Sequence, residues 1–455
     1  MKAFDTENSV WARFSPEQRG QMEAYSIHYR QFLDTARTER LANKEIIRQA
    51  ENVGFRPLSN FTSLKVGDKV YWNQKGKSVI LAVIGSAPIE KGLKIVGSHI
   101  DCPRLDVKAM PVVEKNKIVY FKTHYYGGLL KYQWVCLPLS LVGIVYKADG
   151  SRVDVSIGED PGDPVLFIND LLPHLGKDQA TKKLSEAISG EMLMPLAGTN
   201  GDGEKTKPAI LSLLKGKYGI EEEDFTSAEL EIIPAVKSRD VGLDRSMIMS
   251  HGHDDRVCSY ANLAAILDAA PGEKTQVALF ADKEEIGSVG NTGVHSSYFP
   301  DFIAELLSLQ GRNQEIWLRR TLRNSEVLSA DVCAAFDPVF ADAYEEQNSA
   351  KLGYGICLCK YTGARGKAGS NDANAEFMAK IRRIFNEKEV PWQVGELGKV
   401  DQGGGGTIAY IMADWGCDVV DCGVAMHSMH APLEIVAKAD AYSGYLAYKA
   451  FFESK

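Results

Sequence analysis

The sequence lacks the long apolar run that a membrane helix requires. No segment approaches the roughly 20 consecutive apolar residues that cross a bilayer, and the first residues contain no apolar core typical of a secretory signal. The chain also has no excess of positive charge, because its net charge is −8 at pH 7. These absences predict a cytoplasmic protein that acts on peptides or small molecules, with no nucleic acid and no membrane as partner.

The cysteine pattern excludes two further classes of site. The eight cysteines form no Cys-x-x-Cys pair of a zinc knuckle or redox centre, and most lie within apolar runs, as buried free thiols do in a reducing compartment. Residues 198–206 nearly imitate a phosphate-binding loop, but Glu204 separates the last glycine from Lys205 and no buried strand leads in. The sequence therefore gives nucleotide binding little support.

The 455 residues and the hydrophobic content of 45% allow a large core and more than one domain. Apolar strand-like runs alternate with helical segments in the two outer parts of the chain, whereas short alternating segments divided by turn residues fill the middle. This pattern predicts an α/β fold, with residues 1–105 and 235–455 in one domain and residues 106–234 in an inserted β-rich domain. The helix candidates are residues 17–52, 261–270, 302–323, 373–386 and 407–415.

Acidic and histidine residues follow four of the predicted strands. Glu284 and Glu285 come after the apolar run 276–280, where adjacent negative charges are costly unless a cation or a shared proton compensates. Ligands bind at the carboxyl ends of strands in open α/β sheets, so we expect the clusters to converge on a metal site. The other clusters contain His99 and Asp101, Asp254 and Asp255, and Asp331, and a fifth segment contains His427 and His430.

Most of these residues also admit a structural role. Asp101 could orient His99 as a metal ligand or form a salt bridge with Arg104. The Asp254-Asp255 pair could cap the helix that follows, or one aspartate could bridge two cations while Arg256 holds the other. Three histidines could be surplus ligands or structural residues: His251, His253 and His427.

Together the clusters supply the side chains of a two-metal hydrolase. Glu285 would bind metal, while Glu284 would point elsewhere and accept a proton from water. Zinc tolerates this mixture of imidazole and carboxylate ligands, and manganese or cobalt would also fit. The glycine run before residue 407 could present the backbone amides of Gly405 and Gly406 to a substrate, or form a flexible turn.

Five ordered motifs resemble those of the aspartyl aminopeptidase family of co-catalytic zinc exopeptidases. The resemblance covers nearly the whole chain and implies a zinc-exopeptidase-like α/β sandwich, interrupted by a β-rich dimerisation domain. It also implies a tetrahedral dodecamer built from dimers, with two zinc ions per subunit. The motifs are Ser98-His99-Ile100-Asp101, Asp254-Asp255-Arg256, Glu284-Glu285-Ile286-Gly287, Ser329-Ala330-Asp331 and Ser428-Met429-His430-Ala431-Pro432.

The same resemblance implies a role for each matching residue. Glu284 would be the general base and Asp101 would orient the imidazole. His174 matches a histidine that reaches the neighbouring subunit's active site, and Lys360 matches a lysine that holds acidic N-terminal side chains. The segment Lys367-Ala368-Gly369 directly before Ser370-Asn371 contains no tyrosine, unlike in members that prefer acidic N-termini. The implied metal ligands are His99, Asp254 as the bridge, Glu285, Asp331 and His430.

We therefore expect a metallo-aminopeptidase that removes the N-terminal residue from peptides, with acidic N-termini as the candidate preference. Two alternatives use the same inventory of residues. One is a deacylase or carboxypeptidase with the same metal pair, and the other is a catalytically silent peptide-binding assembly protein.

Overall fold

Residues 3–200 and 205–455 are described by a computed structural model, in which the chain divides into two compact units. Residues 201–204, in the glycine-rich segment that resembles a phosphate-binding loop, lie outside the described residues. The first unit comprises Met1–Asp101, Ser238–Met429 and Glu434–Lys455, and the second comprises Cys102–Lys237 and His430–Leu433.

The regular elements are numbered in chain order. The helices are α1 Val10–Arg13, α2 Pro16–Thr35, α3 Glu39–Asn52, α4 Leu184–Ala187, α5 Thr206–Tyr218, α6 His253–Asp268, α7 Tyr298–Ser308, α8 Glu315–Arg323, α9 Ala375–Glu387, α10 Ala409–Asp414 and α11 Lys438–Phe452. The strands are β1 Arg56–Pro57, β2 Lys69–Gln74, β3 Ser78–Val83, β4 Leu93–His99, β5 Arg104–Lys115, β6 Ile118–Tyr126, β7 Pro138–Tyr146, β8 Arg152–Ile157, β9 Leu166–Phe167, β10 Leu196–Gly198, β11 Ala228–Pro234, β12 Arg239–Val241, β13 Met247–Ser250, β14 Thr275–Ala281, β15 Glu326–Ser329, β16 Cys333–Ala334, β17 Ile356–Cys359, β18 Trp392–Val394, β19 Asp418–Gly423, β20 Ala425–His427 and β21 Glu434–Ala437.

The first unit is built on a nine-stranded mixed sheet of order β1-β2-β3-β14-β4-β15-β19-β17-β18. Successive side chains of a strand point to opposite faces, so β3 sends Val79 and Leu81 into one core and Ile80 and Ala82 into another. Helices α2, α3, α6, α9 and α11 contribute to the first core, and α7, α8 and α10 to the second. A five-stranded sheet, β12-β13-β21-β20-β16, completes the unit.

Two of the predicted long helices are each divided in two. Residues 17–52 form α2 and α3, because Ala36 leaves helical geometry and the Thr38 side chain then accepts the N–H of Leu41 as a new N-cap. Residues 302–323 are divided in the same way between α7 and α8, and Gly311 between them has a φ of +74°. Among helices in the described ranges, none is both long and apolar enough to cross a bilayer.

The second unit is a seven-stranded sheet of order β11-β5-β6-β10-β9-β7-β8, and β11 also pairs with β7 to close a ring of six strands. Gly143 allows this closure, because a Cβ at that position would lie 2.0 Å from the carbonyl oxygen of Glu229. Helix α5, which the sequence patterns do not predict, packs Ile210 and Leu214 into the core of this unit. The predicted α/β class and β-rich region are confirmed.

Candidate metal centre

Three adjacent parallel strands of the nine-stranded sheet end at one place. Strand β4 ends at His99, which pairs with Ala281 at the end of β14, and β15 on the other side of β4 ends two residues before Asp331. After β14 the chain makes a left-handed turn at Lys283 and begins a short 3-10 helix at Glu284. The carboxyl ends of parallel strands share one sheet edge, so the side chains that follow these strands converge there.

The His99 imidazole lies at the centre of a cluster of carboxylates. Its Nε2 is 3.2 Å from Asp254 Oδ1, 3.6 Å from Asp331 Oδ1 and 3.9 Å from Glu284 Oε2. Two overlapping groups of potential ligand atoms each lie within 4.8 Å of one another. One group contains His99, Glu284 and Asp331, and the other contains His99, Asp254 and Glu285.

The cluster concentrates negative charge in a buried place. Burial raises the pKa of Glu284 well above its usual value, and the charges of Asp331 and Asp101 raise it further against the opposing effect of His99. Burial likewise raises the pKa of Glu285 well above its usual value. Burial lowers the pKa of His99, but the neighbouring carboxylates outweigh this effect and hold that pKa well above its usual value. A compensating positive charge would relieve this electrostatic cost.

Asp101 links the imidazole to the segment that carries the two glutamates. Its carboxylate accepts the backbone N–H of Glu284 at 3.1 Å and that of Glu285 at 3.2 Å. His99 Nδ1 lies 3.4 Å from Asp101 Oδ1 and 3.0 Å from the Asp101 carbonyl oxygen. Arg104 pairs with Asp106 within the second unit at 2.8 Å, and its salt bridge with Asp101 stays a prediction. Asp101 therefore fixes the position of both glutamates as well as the orientation of His99.

The two adjacent aspartates of α6 have different partners across a cis peptide bond. The Asp254 side chain faces His99 and its backbone N–H donates to Glu434 Oε2 at 3.2 Å, whereas Asp255 Oδ2 accepts the backbone N–H of His99 at 3.2 Å. The Arg256 guanidinium donates to the carbonyl of Arg37. Asp254 is thus the aspartate that faces the cluster, and Asp255 supports the end of β4.

The donor set of the cluster fits a borderline cation. One imidazole and four carboxylates offer nitrogen and oxygen ligands of the kind that zinc accepts, and no thiolate belongs to either group of ligand atoms. The residues that could hold such an ion are His99, Asp254, Glu284, Glu285 and Asp331.

Two predicted site residues belong to the second unit. His430 has a φ of +65° and its Nδ1 is within hydrogen-bond distance of the Gly128 carbonyl. His174 lies in an exposed 3-10 turn, Pro173–Leu175, between exposed leucines. Their contributions to the cluster of the first unit remain predictions.

Lys360, the predicted holder of acidic side chains, follows strand β17 and is paired in the structure. Its Nζ lies 2.6 Å from Asp372 Oδ1, and Lys367 Nζ lies 2.8 Å from the other oxygen of the same carboxylate. Lys367 also lies over the ring of Tyr361, 3.9 Å from its centroid, and the Tyr361 hydroxyl donates to Glu396. Two ammonium groups therefore share one carboxylate, which leaves one positive charge in excess.

The glycine run gives the two predicted amide donors different positions. The N–H of Gly405 donates to the carbonyl of Thr362 at 3.1 Å. This amide is already engaged, so Gly405 is removed as a free donor. Gly406 keeps the candidate role, and a Cβ there would lie 3.0 Å from the carbonyl oxygen of Gly369.

Two of the histidines with open roles are held by structural contacts. His253 is fully buried, its Nε2–H donates to the Ile248 carbonyl and its Nδ1 accepts the Tyr29 hydroxyl at 2.6 Å. Burial lowers the pKa of His253 to about 3, so this imidazole stays neutral. His427 Nε2 lies 3.1 Å from the Phe336 carbonyl. His251 is buried directly after β13, and its two candidate roles stay predictions.

Sequence patterns missed the supporting residues around the cluster. Ser259 donates its hydroxyl to the His99 carbonyl at 2.6 Å, and Glu434 accepts from the Asp254 backbone. Ser259 lies one helical turn after Asp255, which is the only sequence signal it carries. Glu434 lies on a different sheet, and no local pattern points to it.

Comparison with known proteins places the chain among peptidases. The family model described as "Aminopeptidase I zinc metalloprotease (M18)" matches residues 32–452. The chain is 48% identical over 455 residues to a probable M18 family aminopeptidase 1 of Clostridium acetobutylicum, with 98% of each chain covered.

Solved structures agree with this match. An M18-family aminopeptidase from Thermotoga maritima has a TM-score of 0.95 at 45% identity, covering 98% of this chain and 99% of its own. Aminopeptidase I from Clostridium acetobutylicum has a TM-score of 0.93 at 44% identity, covering 99% and 100%. A yeast structure described as the mApe1 dodecamer shares the fold at 18% identity, with a TM-score of 0.76 and coverage of 95% and 97%.

Proposed function

The chain belongs to the M18 family of zinc aminopeptidases, and from this premise we propose that it hydrolyses the first peptide bond of peptides with two metal ions and Glu284 as general base. The observation that carries the proposal is the cluster around His99, where Asp254, Glu284, Glu285 and Asp331 meet at the ends of parallel strands. Either bound cations or retained protons must offset the charge of so many buried acids, and bound cations do so while the carboxylates stay ionised.

The proposed metal ligands are His99, Asp254, Glu285 and Asp331, together with His430 by its motif. Asp254 would be shared between two ions by its place in the Asp254-Asp255-Arg256 motif, since a carboxylate has two oxygens to offer and Oδ1 of this residue faces His99. When bound, zinc supplies a Lewis acid that activates water and polarises the scissile carbonyl. Manganese or cobalt would supply the same chemistry with this set of ligands.

Glu284 would move the proton during hydrolysis. Its carboxylate would accept a proton from the attacking water and return it to the nitrogen of the leaving amine. The two N–H groups that Asp101 accepts hold the turn at Glu284 and Glu285, so the carboxylates keep fixed directions. Without a cation, burial raises the pKa of Glu284, and a divalent charge beside it would favour the ionised carboxylate that can accept a proton.

Matched glutamine variants of the two glutamates test these roles. Both carboxylates lie within reach of His99, and the substitution removes a charge while it keeps the shape. Glu284→Gln should retain the full metal content and lose turnover by about 10²–10⁴-fold, whereas Glu285→Gln should lose bound metal as well. The measurements are elemental analysis of the purified variants and the kcat for an unblocked peptide. Retained activity in a metal-loaded Glu284→Gln enzyme would refute the assignment of the base.

A deacylase or carboxypeptidase would use the same metal cluster, so substrate choice separates the rivals. We expect cleavage of peptides with a free α-amine and no cleavage of their N-acetylated forms. Preference for the blocked peptides would favour the deacylase, and release of C-terminal residues would favour the carboxypeptidase.

We further propose that the pair Lys360 and Lys367 selects acidic N-terminal side chains. These ammonium groups share the single carboxylate of Asp372, so one positive charge is available to a substrate carboxylate. Exposed ion pairs of this kind contribute at most about 1 kcal/mol, so exchange of Asp372 for a substrate costs little. Tyr361 provides a phenol in the same segment, where the motif lacks the expected tyrosine.

The second unit is proposed to form dimers that assemble into a tetrahedral dodecamer. Three leucines around His174 are about half to two-thirds exposed, namely Leu171, Leu172 and Leu175, and so much exposed apolar surface favours coverage by another subunit. Sedimentation velocity should give a particle of twelve chain masses. A monomer at micromolar concentration would contradict the assembly.

A further inference from the structure

Three buried cysteines bring their sulfur atoms into mutual contact. Cys333 Sγ lies 3.5 Å from both Cys357 Sγ and Cys359 Sγ, and the last two are 3.6 Å apart. All three are free thiols. These three residues are called the thiol cluster below.

The fold builds the thiol cluster from two segments. Cys357 and Cys359 alternate along β17 and therefore share one face, while Leu358 between them packs into the core on the opposite face. Cys333 arrives from β16 of the five-stranded sheet. Gly395 leaves the space that the sulfur of Cys357 fills, because a Cβ at 395 would lie 2.7 Å from that atom.

The triangle of sulfur atoms has nearly the size of one face of a tetrahedral zinc site. Three thiolates at the zinc–sulfur distance of about 2.3 Å and at tetrahedral angles are about 3.8 Å apart, and the observed separations are only slightly shorter. A cation above the plane of the three sulfurs would therefore need shifts of a few tenths of an ångström. One coordination position would stay open for a water molecule or another small ligand.

The surroundings of the thiol cluster select the kind of cation. Ala335, Ala350 and Ala425 line it, and it contains no carboxylate, so it offers sulfur ligands alone. Soft and borderline cations prefer thiolates, whereas magnesium and calcium require oxygen. Cys357 is fully buried, whereas Cys333 and Cys359 keep exposures of 5% and 6%.

We propose that Cys333, Cys357 and Cys359 form a thiolate site for one thiophilic cation such as Zn²⁺, Cd²⁺ or Cu⁺, distinct from the nitrogen and oxygen site at His99. The site goes beyond the proposed peptidase function and does not depend on it. Cys333 follows Asp331 by two residues, and Cys359 directly precedes Lys360. A bound cation would therefore tie the segment of a proposed catalytic metal ligand to the segment of the proposed specificity lysine.

Cobalt and zinc spectroscopy test the proposal. The full-length protein is purified with a reductant, stripped with a chelator and titrated with Co²⁺, which reports thiolate ligation by a sulfur-to-cobalt charge-transfer band in the near ultraviolet. Wild type should develop this band and bind one more equivalent of Co²⁺ than Cys357→Ser. The matched control is Cys417→Ser, which changes another buried thiol in a different core and should retain both the band and the stoichiometry.

A measurement without substitution guards against a variant that fails to fold. X-ray absorption of the zinc-saturated wild-type protein should show sulfur scatterers at about 2.3 Å beside the nitrogen and oxygen shell. Nitrogen and oxygen scatterers alone, or a charge-transfer band that persists undiminished in Cys357→Ser, would overturn the thiolate site. In that case the three sulfurs are only a close apolar contact.

Discussion

Replacement of Asp101 by asparagine tests how the structure positions the proposed base. The carboxylate accepts two backbone N–H groups, from Glu284 and Glu285, and faces Nδ1 of His99. Asparagine keeps one acceptor oxygen and replaces the other with a donor, so one buried N–H loses its partner. Loss of one hydrogen bond to a charged group costs about 1.5–3 kcal/mol. That free energy corresponds to a roughly 10- to 100-fold lower kcat/KM.

Asp440→Asn is a matched control for Asp101→Asn. Asp440 is as buried as Asp101 and also accepts two backbone N–H groups, from Gly353 at 2.6 Å and from Gly355 at 2.7 Å. It lies in α11 and belongs to neither group of potential metal ligands around His99. Asp440→Asn should lower the melting temperature by a similar amount and leave kcat/KM within a factor of about three. The assay is hydrolysis of an unblocked peptide at saturating zinc, with thermal unfolding measured in parallel. An Asp101→Asn enzyme that is destabilised but fully active would refute the positioning role.

Three further predictions follow from the charges and the units. Metal-free protein should lose stability as pH rises above about 4, because folded Glu284 and Glu285 keep protons that the unfolded chain releases. The free energy of unfolding should fall by about 1.4 kcal/mol per pH unit for each retained proton, and bound zinc should abolish this slope. Calorimetry that showed the stability of chelated protein rising with pH would contradict the prediction. Lys360→Met should lower kcat/KM for peptides with N-terminal glutamate by roughly 10-fold relative to peptides with N-terminal leucine. Asp372→Asn should raise the glutamate-to-leucine ratio of kcat/KM. The same ratio in wild type and both variants would exclude Lys360 from specificity. Co-expression of His174→Ala with Glu284→Gln should restore part of the activity that each variant lacks alone, since one subunit's intact base would meet its neighbour's intact histidine. Mixed oligomers with no recovered activity would place His174 outside the neighbour's site.

The convergence of the cluster could be anticipated because its signals are local. Paired glutamates after an apolar run, and a histidine or aspartate at the ends of other strands, each mark a strand end, and parallel pairing brings those ends together. The distinction between Asp254 and Asp255 could be named from the motif. The reason for it lies in three dimensions, because the Asp254 carboxylate faces the imidazole of His99 whereas the Asp255 carboxylate accepts the backbone N–H of the same residue.

Features that depend on sheet register or on loop closure were beyond the sequence. The thiol cluster joins residues 24 and 26 positions apart, and only the placement of β16 and β17 brings them together. The engaged amide of Gly405 depends on the position of Thr362. The break between α2 and α3 is a third case, since the apolar spacing continues across it and only the Thr38 cap marks a new helix start.

Anomalous scattering from crystals of the zinc-loaded protein tests the central claim most directly. Data on either side of the zinc absorption edge locate each ion without reference to activity. We predict two neighbouring peaks among His99, Asp254, Glu285 and Asp331, with Asp254 between them and Glu284 bound to neither. A single peak there, or zinc bound away from His99, would contradict a two-metal site at the ends of these strands.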